Sequence, residues 1–362
     1  MMRKTLFFAI VLLFSAHAKA QYVSLNDNEV HKLKTLIGID AHAKKLYTKY
    51  QVIADAAVKE NPQPIDTIRT EGLLKGNPKK TATINALRDM SKMYALAICY
   101  RIEGKKSYLE SLASYLTAWA KVNTSRGNPI DDTNLEDAIT AYDLVKTYLQ
   151  PKDNELIVKW LSQAANAGIT FYSKSSKKMT SYNNWRSHQL KIVGLIAYAI
   201  DDAGYKKYVD EHLKIQIEKN LYADGSGVDF KHRDALHYHV YTLEPFLRLA
   251  IVLKRATGVD AYSAVSASES SIQKSVEWLM PYATSEKTHG EYVNSTVKFD
   301  QARAKNGESA YEAGNLWKPK SGLKVLALAA YFDPQYNSII KIVVSTTNDY
   351  SDWQLVLNNV MM

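Results

Sequence analysis

Three short stretches of this 362-residue chain hold side chains able to do chemistry. The densest runs from Asp229 to Pro245 and carries Lys231, Arg233, His237, Tyr238, His239 and Tyr241. Asp234 is placed to cap a helix beginning near Ala235. On that helix Leu236, Val240, Leu243 and Leu247 make an apolar face, while Tyr238 and Tyr241 share another. The second stretch is Asn183-Asn184-Trp185-Arg186-Ser187-His188; in a helix starting near Asn184, His188 sits one turn from the Asn184 amide. The third is His289-Gly290-Glu291-Tyr292-Val293-Asn294-Ser295, followed by Phe299-Asp300 and Arg303, in a segment without helical period.

Each stretch has a plain structural reading: a capped helix with boundary aromatics, a capping Asn beside a core Trp, a solvated loop. His237 and His239 lie about 200° apart around a helix and cannot share one ion. No metal or cofactor is therefore expected. A Gly-x-Ser-x-Gly elbow and a Walker-type loop are both missing from the sequence. A set of Tyr, His, Asn and Arg suits β-elimination on a uronic acid. The C5 proton beside the carboxylate is weakly acidic, and Asn, Arg or protonated His lowers the cost of the dianionic intermediate. A Tyr within reach can take that proton if neighbouring cations lower its pKa, and a protonated Tyr or His can donate to the departing O4. In β-D-mannuronate and β-D-glucuronate the two groups lie on one side of the ring, so one Tyr can serve both steps. In α-L-guluronate a second group, such as His188, must act from the other face.

The elements that must position these residues are helical. Apolar residues recur at three- and four-residue spacing, predicting helices over about 26–37, 41–59, 81–103, 107–121, 134–149, 153–172, 184–203, 206–219, 234–256, 263–282 and 320–331. Short connections with Gly, Pro or Asp separate them, and no fixed-period repeat is present. The expected architecture is all-α: a toroid, or incomplete toroid, of antiparallel helical hairpins in one domain, residues 21–362. Residues 60–80, 221–233 and 283–319 are expected to be irregular, and long irregular segments in a helical domain tend to carry function. The tail, 338–362, is open between strand and helix around Ile339–Val344.

The first twenty residues read as an export signal: a basic start, an apolar run from Thr5 to Ser15, and Ala18-Lys19-Ala20 before a cut. Cleavage after Ala20 implies a periplasmic or secreted protein, and no later apolar run is long enough to span a membrane. The single cysteine, Cys99, excludes an internal disulfide and sits in an apolar helical stretch. The formal charge is +9, and removing Arg3, Lys4 and Lys19 leaves +6. A basic exported protein suits an anionic partner. With no Lys/Arg tract and no nucleic-acid motif, a polyanionic glycan is favoured over nucleic acid, and a monomer is expected.

Ala235-Leu236-x-Tyr238-His239-x-Tyr241-x-Leu243-x-Pro245 resembles the catalytic-tyrosine helix of the alginate lyase family of polysaccharide lyases. Asn183-Asn184 resembles that family's Asn-Asn-His motif, and Asp224-Gly225-Ser226 with Asp229-Phe230 resembles related helical-toroid uronate lyases. The similarity covers about residues 60–330, and the Tyr238 helix is its most specific part. It implies an (α/α) toroid acting on an anionic uronic-acid polymer, with Tyr238 as base and acid. His188 and Asn184 would then neutralise or orient the carboxylate, and Arg233 would support the charge. Trp185, Lys231, His237, His239, Tyr241, His289, Glu291 and Arg303 would contact substrate. The chain departs from the pattern at Trp185, where the family has its histidine; His188 is the nearest substitute. The family's arginine offset falls on Lys231, leaving Lys231 and Arg233 as alternatives. The competing readings are a glycoside hydrolase, for which Asp224, Asp229, Asp234 and Glu291 offer carboxylates, and a non-catalytic glycan-binding protein, for which 24 Tyr and 6 Trp offer stacking surfaces.

Overall fold

The three- and four-residue spacing resolves into helices because each buries one stripe against its neighbours. The computed structural model describes residues 21–173 and 178–362, so the expected export signal lies outside the described residues. In chain order the helices are α1 Asp27–Ile39, α2 Ala41–Ala57, α3 Pro78–Ala86, α4 Arg88–Glu103, α5 Lys106–Val122, α6 Pro129–Asp132, α7 Glu136–Val145, α8 Pro151–Ser173 and α9 Asn184–Ile200. They continue as α10 Ala203–Asn220, α11 Val228–Arg233, α12 Leu236–Thr257, α13 Ile272–Ala283, α14 Lys298–Lys305, α15 Leu323–Ala329, α16 Gln335–Val344 and α17 Trp353–Met361. Side-chain caps set many starts: Asn26 with Glu29 as a capping box, Asp40, Asn77 ahead of Pro78, Asp202, Ser271 and Asp352.

Packing closes these helices into an (α/α) toroid. α4 packs on α7, α7 on α9, α9 on α12, α12 on α15 and α15 on α17; α17 then meets α1 and α2, and α2 meets α4. α5, α8, α10, α13 and α16 back this inner ring. Within it, α9 is buried on nearly every side. At Gly194 a Cβ would stand 2.5 Å from Leu249 Cδ1, so glycine sets how closely α9 approaches α12. One hydrophobic core runs from Val23 to Val360 and includes Cys99.

An axial cavity of about 870 Å³ is lined by residues of all six inner helices. Val23, Ser24 and Leu25 line its far end, pinned there by Arg248 Nη2 to the Val23 carbonyl (3.0 Å) and Arg255 Nη1 to the Ser24 carbonyl (2.8 Å). Inside, Lys191 Nζ lies 2.5 Å and Arg248 Nε 2.9 Å from the Glu136 carboxylate. Against the upward push of burial, these cations hold that carboxyl well below the ordinary range.

Several predicted boundaries are corrected. The helix expected over 81–103 is two, broken at Leu87. The one expected over 263–282 starts at Ile272, because 259–271 is taken up by turns around Asp260 and Ser266. The 221–233 loop holds an antiparallel bridge, Leu221 to Gly227, and then α11. The tail is helical, and among the described residues only isolated bridges, and no strands, occur.

Candidate active site

α11 ends at Arg233, and Asp234 turns the chain with φ 48°, a left-handed conformation that Asp tolerates better than most residues. α12 then starts at Leu236, and this break folds Arg233 back so that its guanidinium carbon lies 3.9 Å from the Tyr238 ring centre. Asp234 is therefore not the cap of α12, as its position suggested. Its carboxylate accepts from Asn294 N (2.8 Å) and Nδ2 (3.0 Å), stapling the 289–295 segment in place. The cap is Glu291: its oxygens accept from Leu236 N (2.7 Å) and His237 N (3.0 Å), a carboxylate on a helix N-terminus. His289 Nε2 lies 3.1 Å from the Asp234 carbonyl and its ring packs on Phe230. Glu291 and His289, expected to contact substrate, instead anchor the segment that reaches over Tyr238.

That segment delivers Asp300 and Arg303 on α14. The Tyr238 hydroxyl donates to Asp300 Oδ1 at 3.0 Å and accepts from Arg303 Nη1 at 3.0 Å. Arg233 Nη1 reaches both Asp300 oxygens at 2.8 Å, and Arg303 Nη1 stands 3.5 Å from Oδ1. Tyr292 and Tyr311 wall the group, with the Tyr292 ring 6.2 Å edge-on from Tyr238 and Arg303 over Tyr311 at 4.6 Å. Tyr292 itself holds a left-handed backbone, φ 62°, fixed by its N–H to the Asp234 carbonyl at 2.6 Å. Exposed His237 closes one side, 5.1 Å from Tyr238 and 5.9 Å from Tyr311.

The site is buried, and its electrostatics follow from that. Burial pushes the Tyr238 hydroxyl far above its usual pKa; Arg233 opposes the shift and Asp300 adds to it. Tyr238 is thus protonated in this arrangement. Two guanidiniums grip the Asp300 carboxylate, and the Glu71 carboxylate lies within electrostatic reach of both. Arg233 Nε, Arg303 Nε and the Tyr292 hydroxyl are buried without a hydrogen-bond partner. A buried group left unpaired costs about 1–3 kcal/mol, so the site is incomplete as it stands. It offers a phenol held by cations.

Other predicted residues lie elsewhere. The Asn184 amide and backbone N–H both donate to Asp229, the latter at 2.7 Å, and Thr242 Oγ1 joins them at 3.0 Å. The pair is buried and ties α9 to α11 and α12. His188 is buried at 1% exposure, with Thr133 Oγ1 2.9 Å from Nδ1 and the Tyr241 carbonyl 3.1 Å from Nε2. The cause is Pro245: lacking an N–H, it leaves the Tyr241 carbonyl without its helical donor, and His188 supplies one. Burial drives the His188 pKa well below its ordinary value, so it is neutral. The Asn184 N–H groups and both His188 nitrogens are hydrogen-bonded within the protein, and His188 lines the axial cavity, which Tyr238 does not.

Trp185 stacks on Phe171 at 6.2 Å. Lys231 pairs with Asp224 at 3.3 Å and lies over the Tyr222 ring at 4.0 Å, which leaves Arg233 as the cation at Tyr238. His239 is fully buried, Nε2 3.0 Å from the Ser275 carbonyl, and is structural. Tyr241 packs against His188 at 4.2 Å and lines the axial cavity, which Tyr238 does not. Of the predicted set, Tyr238, Arg233, Arg303 and His237 come together. Asp300, Tyr292 and Tyr311 were missed as site residues. The signal for Asp300 was its i, i+3 spacing to Arg303, readable only if 298–305 is a helix.

A family model described as alginate lyase matches residues 20–289, ending just before the segment that carries Asp300 and Arg303. A curated polysaccharide lyase of Stenotrophomonas maltophilia is 25% identical over 203 residues, covering 51% of this chain and 58% of its own length. Among solved structures, an alginate lyase from Bacteroides ovatus superposes with TM-score 0.68 at 16% identity, over 91% of this chain and 97% of that one. Alginate lyase A1-III from Sphingomonas species A1 gives 0.56 at 20% identity, over 74% and 79%. A variant of A1-III complexed with a tetrasaccharide gives 0.57 at 20% identity, over 75% and 80%.

Proposed function

This chain belongs to the alginate lyase family, and from that premise we propose that it cleaves a polyuronate, mannuronan-rich alginate or a glucuronan-like chain, by β-elimination. The observation that carries the reading is the Tyr238 hydroxyl held between Arg303 and Asp300 with Arg233 on its ring. In the reaction Arg233, on the toroid body, takes the carboxylate of the sugar whose C5 is attacked, and its charge offsets that of the aci-carboxylate. Tyr238, protonated at rest, must first give up that proton, and with Arg233 over its ring to offset the charge it then removes the C5 proton. The electron pair forms the C4–C5 double bond as the C4–O4 bond breaks, and Tyr238 returns the proton to O4. The products are a C4–C5 unsaturated uronate end and a new reducing end.

One tyrosine acting twice requires the C5 proton and O4 on the same face. His188 was the group available for opposite-face chemistry, and both its nitrogens are engaged. That supports β-D-mannuronate or β-D-glucuronate over α-L-guluronate. We further propose that the protein works outside the cytoplasm after cleavage at Ala20.

The test is incubation with polymannuronate, polyguluronate, glucuronan and glycosaminoglycans, following the ultraviolet absorbance of the unsaturated product. Absorbance growth on polymannuronate or glucuronan is expected. New reducing ends without it would assign a hydrolase instead, and no cleavage of any polymer by folded protein would remove the reading.

A further inference from the structure

We propose that Asp300 occupies the seat of the substrate carboxylate, so that the resting site is closed by a substrate mimic built into α14. The inference rests on the lyase reading for the identity of the displacing group. The seat itself rests on geometry.

An Asp side chain is a carboxylate on a CH₂, and a uronate presents a carboxylate on C5–H. In the resting protein the Asp300 carboxylate is gripped by Arg233 at 2.8 Å on both oxygens, and its Oδ1 takes the Tyr238 proton at 3.0 Å. A sugar carboxylate in the same grip would set its C5 beside the Tyr238 oxygen. Both carboxylates cannot be there at once, because Asp300 is buried at 1% exposure among these partners.

α14 is built to leave. Asp300 and Arg303 are its polar ties to the toroid, and its closest packing partner is the adjoining 309–311 turn. Its far end is clasped to the 61–77 loop by two exposed bonds, Asn306 Nδ2 to the Lys75 carbonyl and Lys75 N to Glu308, each 3.0 Å. Exposed bonds of this kind contribute little, and neither belongs to the core, so breaking them leaves the core in place. Withdrawal also lessens the burial that chiefly keeps Tyr238 protonated, and removes the smaller contribution of Asp300. Only an anionic sugar replaces the lost charge beside Arg233, so the latch rejects neutral or esterified chains.

The experiment replaces the mimic. Asp300→Ala leaves an empty carboxylate seat, and thermal melting at pH 7 is followed with sodium acetate, acetamide and sodium chloride at equal concentration. Acetate is expected to raise the variant's melting temperature by at least about 3 °C and the wild type's by under about 1 °C, with acetamide inert. An equal response of both proteins, or none, overturns the proposal. This arm needs no catalysis, so it stands apart from the lyase reading. If Asp300→Ala does not fold, Asp300→Asn decides: KM for the cleaved polyuronate is expected to fall at least about fivefold, a weakened competitor raising the open fraction. An unchanged or higher KM in folded Asp300→Asn overturns it equally.

Discussion

Two polar clusters sit at the starts of neighbouring inner helices, and they teach opposite lessons. At the start of α9, Asp229 accepts from Asn184 twice, from Thr242 and, at 3.4 Å, from Asn220, joining four helices in a buried knot. At the start of α12, Asp300 is held by Arg233 and Tyr238 from outside the toroid body, and three polar atoms around it have no partner. The sequence presents both as dense groups of polar residues. What separates them is where the partners of the central carboxylate sit: Asp229 is tied among four packed helices, whereas Asp300 rides on a short, lightly packed helix that meets the toroid through its side chains.

The sharpest test of this contrast is Tyr238→Phe, expected to cut kcat by roughly 10²–10⁴ while the protein folds and still binds oligouronate. Full turnover would erase the distinction between the clusters. Asp229→Ala should do the reverse. Stranding the Asn184 amide and the Thr242 hydroxyl costs about 1–3 kcal/mol per group. A large drop in the urea midpoint is therefore expected, with near-normal kcat in the folded fraction.

Acid should weaken the knot side of the molecule through its buried histidines. Burial depresses His239 from 6.5 to about 4 and lowers His188 as well. The unfolded chain therefore binds protons that the folded one refuses. The stability is fully present above about pH 6.5 and is lost on descending toward 4, at up to about 1.4 kcal/mol per pH unit for each histidine. Asp132, raised by burial to about 7, takes up its proton in the same window and opposes this loss, so the check is made on Asp132→Asn, where a urea midpoint flat between pH 7 and 5 would contradict the buried neutral assignment. A smaller effect is expected for His188→Gln: about 1–2 kcal/mol of stability from the Tyr241 carbonyl it serves, and kcat within roughly threefold of wild type. A loss like that of Tyr238→Phe would return His188 to the chemistry. Smallest of all is Lys231→Ala, expected to shift KM less than roughly twofold, since exposed pairs contribute little; a loss comparable to that of Arg233→Ala would reopen the choice between them.

The toroid was legible because helices are written locally: the apolar stripe and the Asn, Asp and Ser caps lie within a few residues of what they stabilise. Tyr238 was legible for the same reason, as part of one helix with its own pattern. Asp234 misled because a left-handed turn, φ 48°, separates two helices where spacing alone suggested one capped start. His188 misled because its partners, Thr133 and Tyr241, lie 55 and 53 residues away. Pro245 was the visible hint that Tyr241 would need an outside donor.

By itself the sequence determined the helices, their hairpin order and the place of Tyr238 on one of them, since each depends on short-range periodicity and capping. Only the tertiary structure decided which cations stand at that tyrosine, and which carboxylate holds the site closed. Arg233, Tyr238, Asp300 and Arg303 span 70 residues and meet through a left-handed turn, a Glu291 cap and a segment without period. Their proximity follows from packing and burial, which no local spacing encodes.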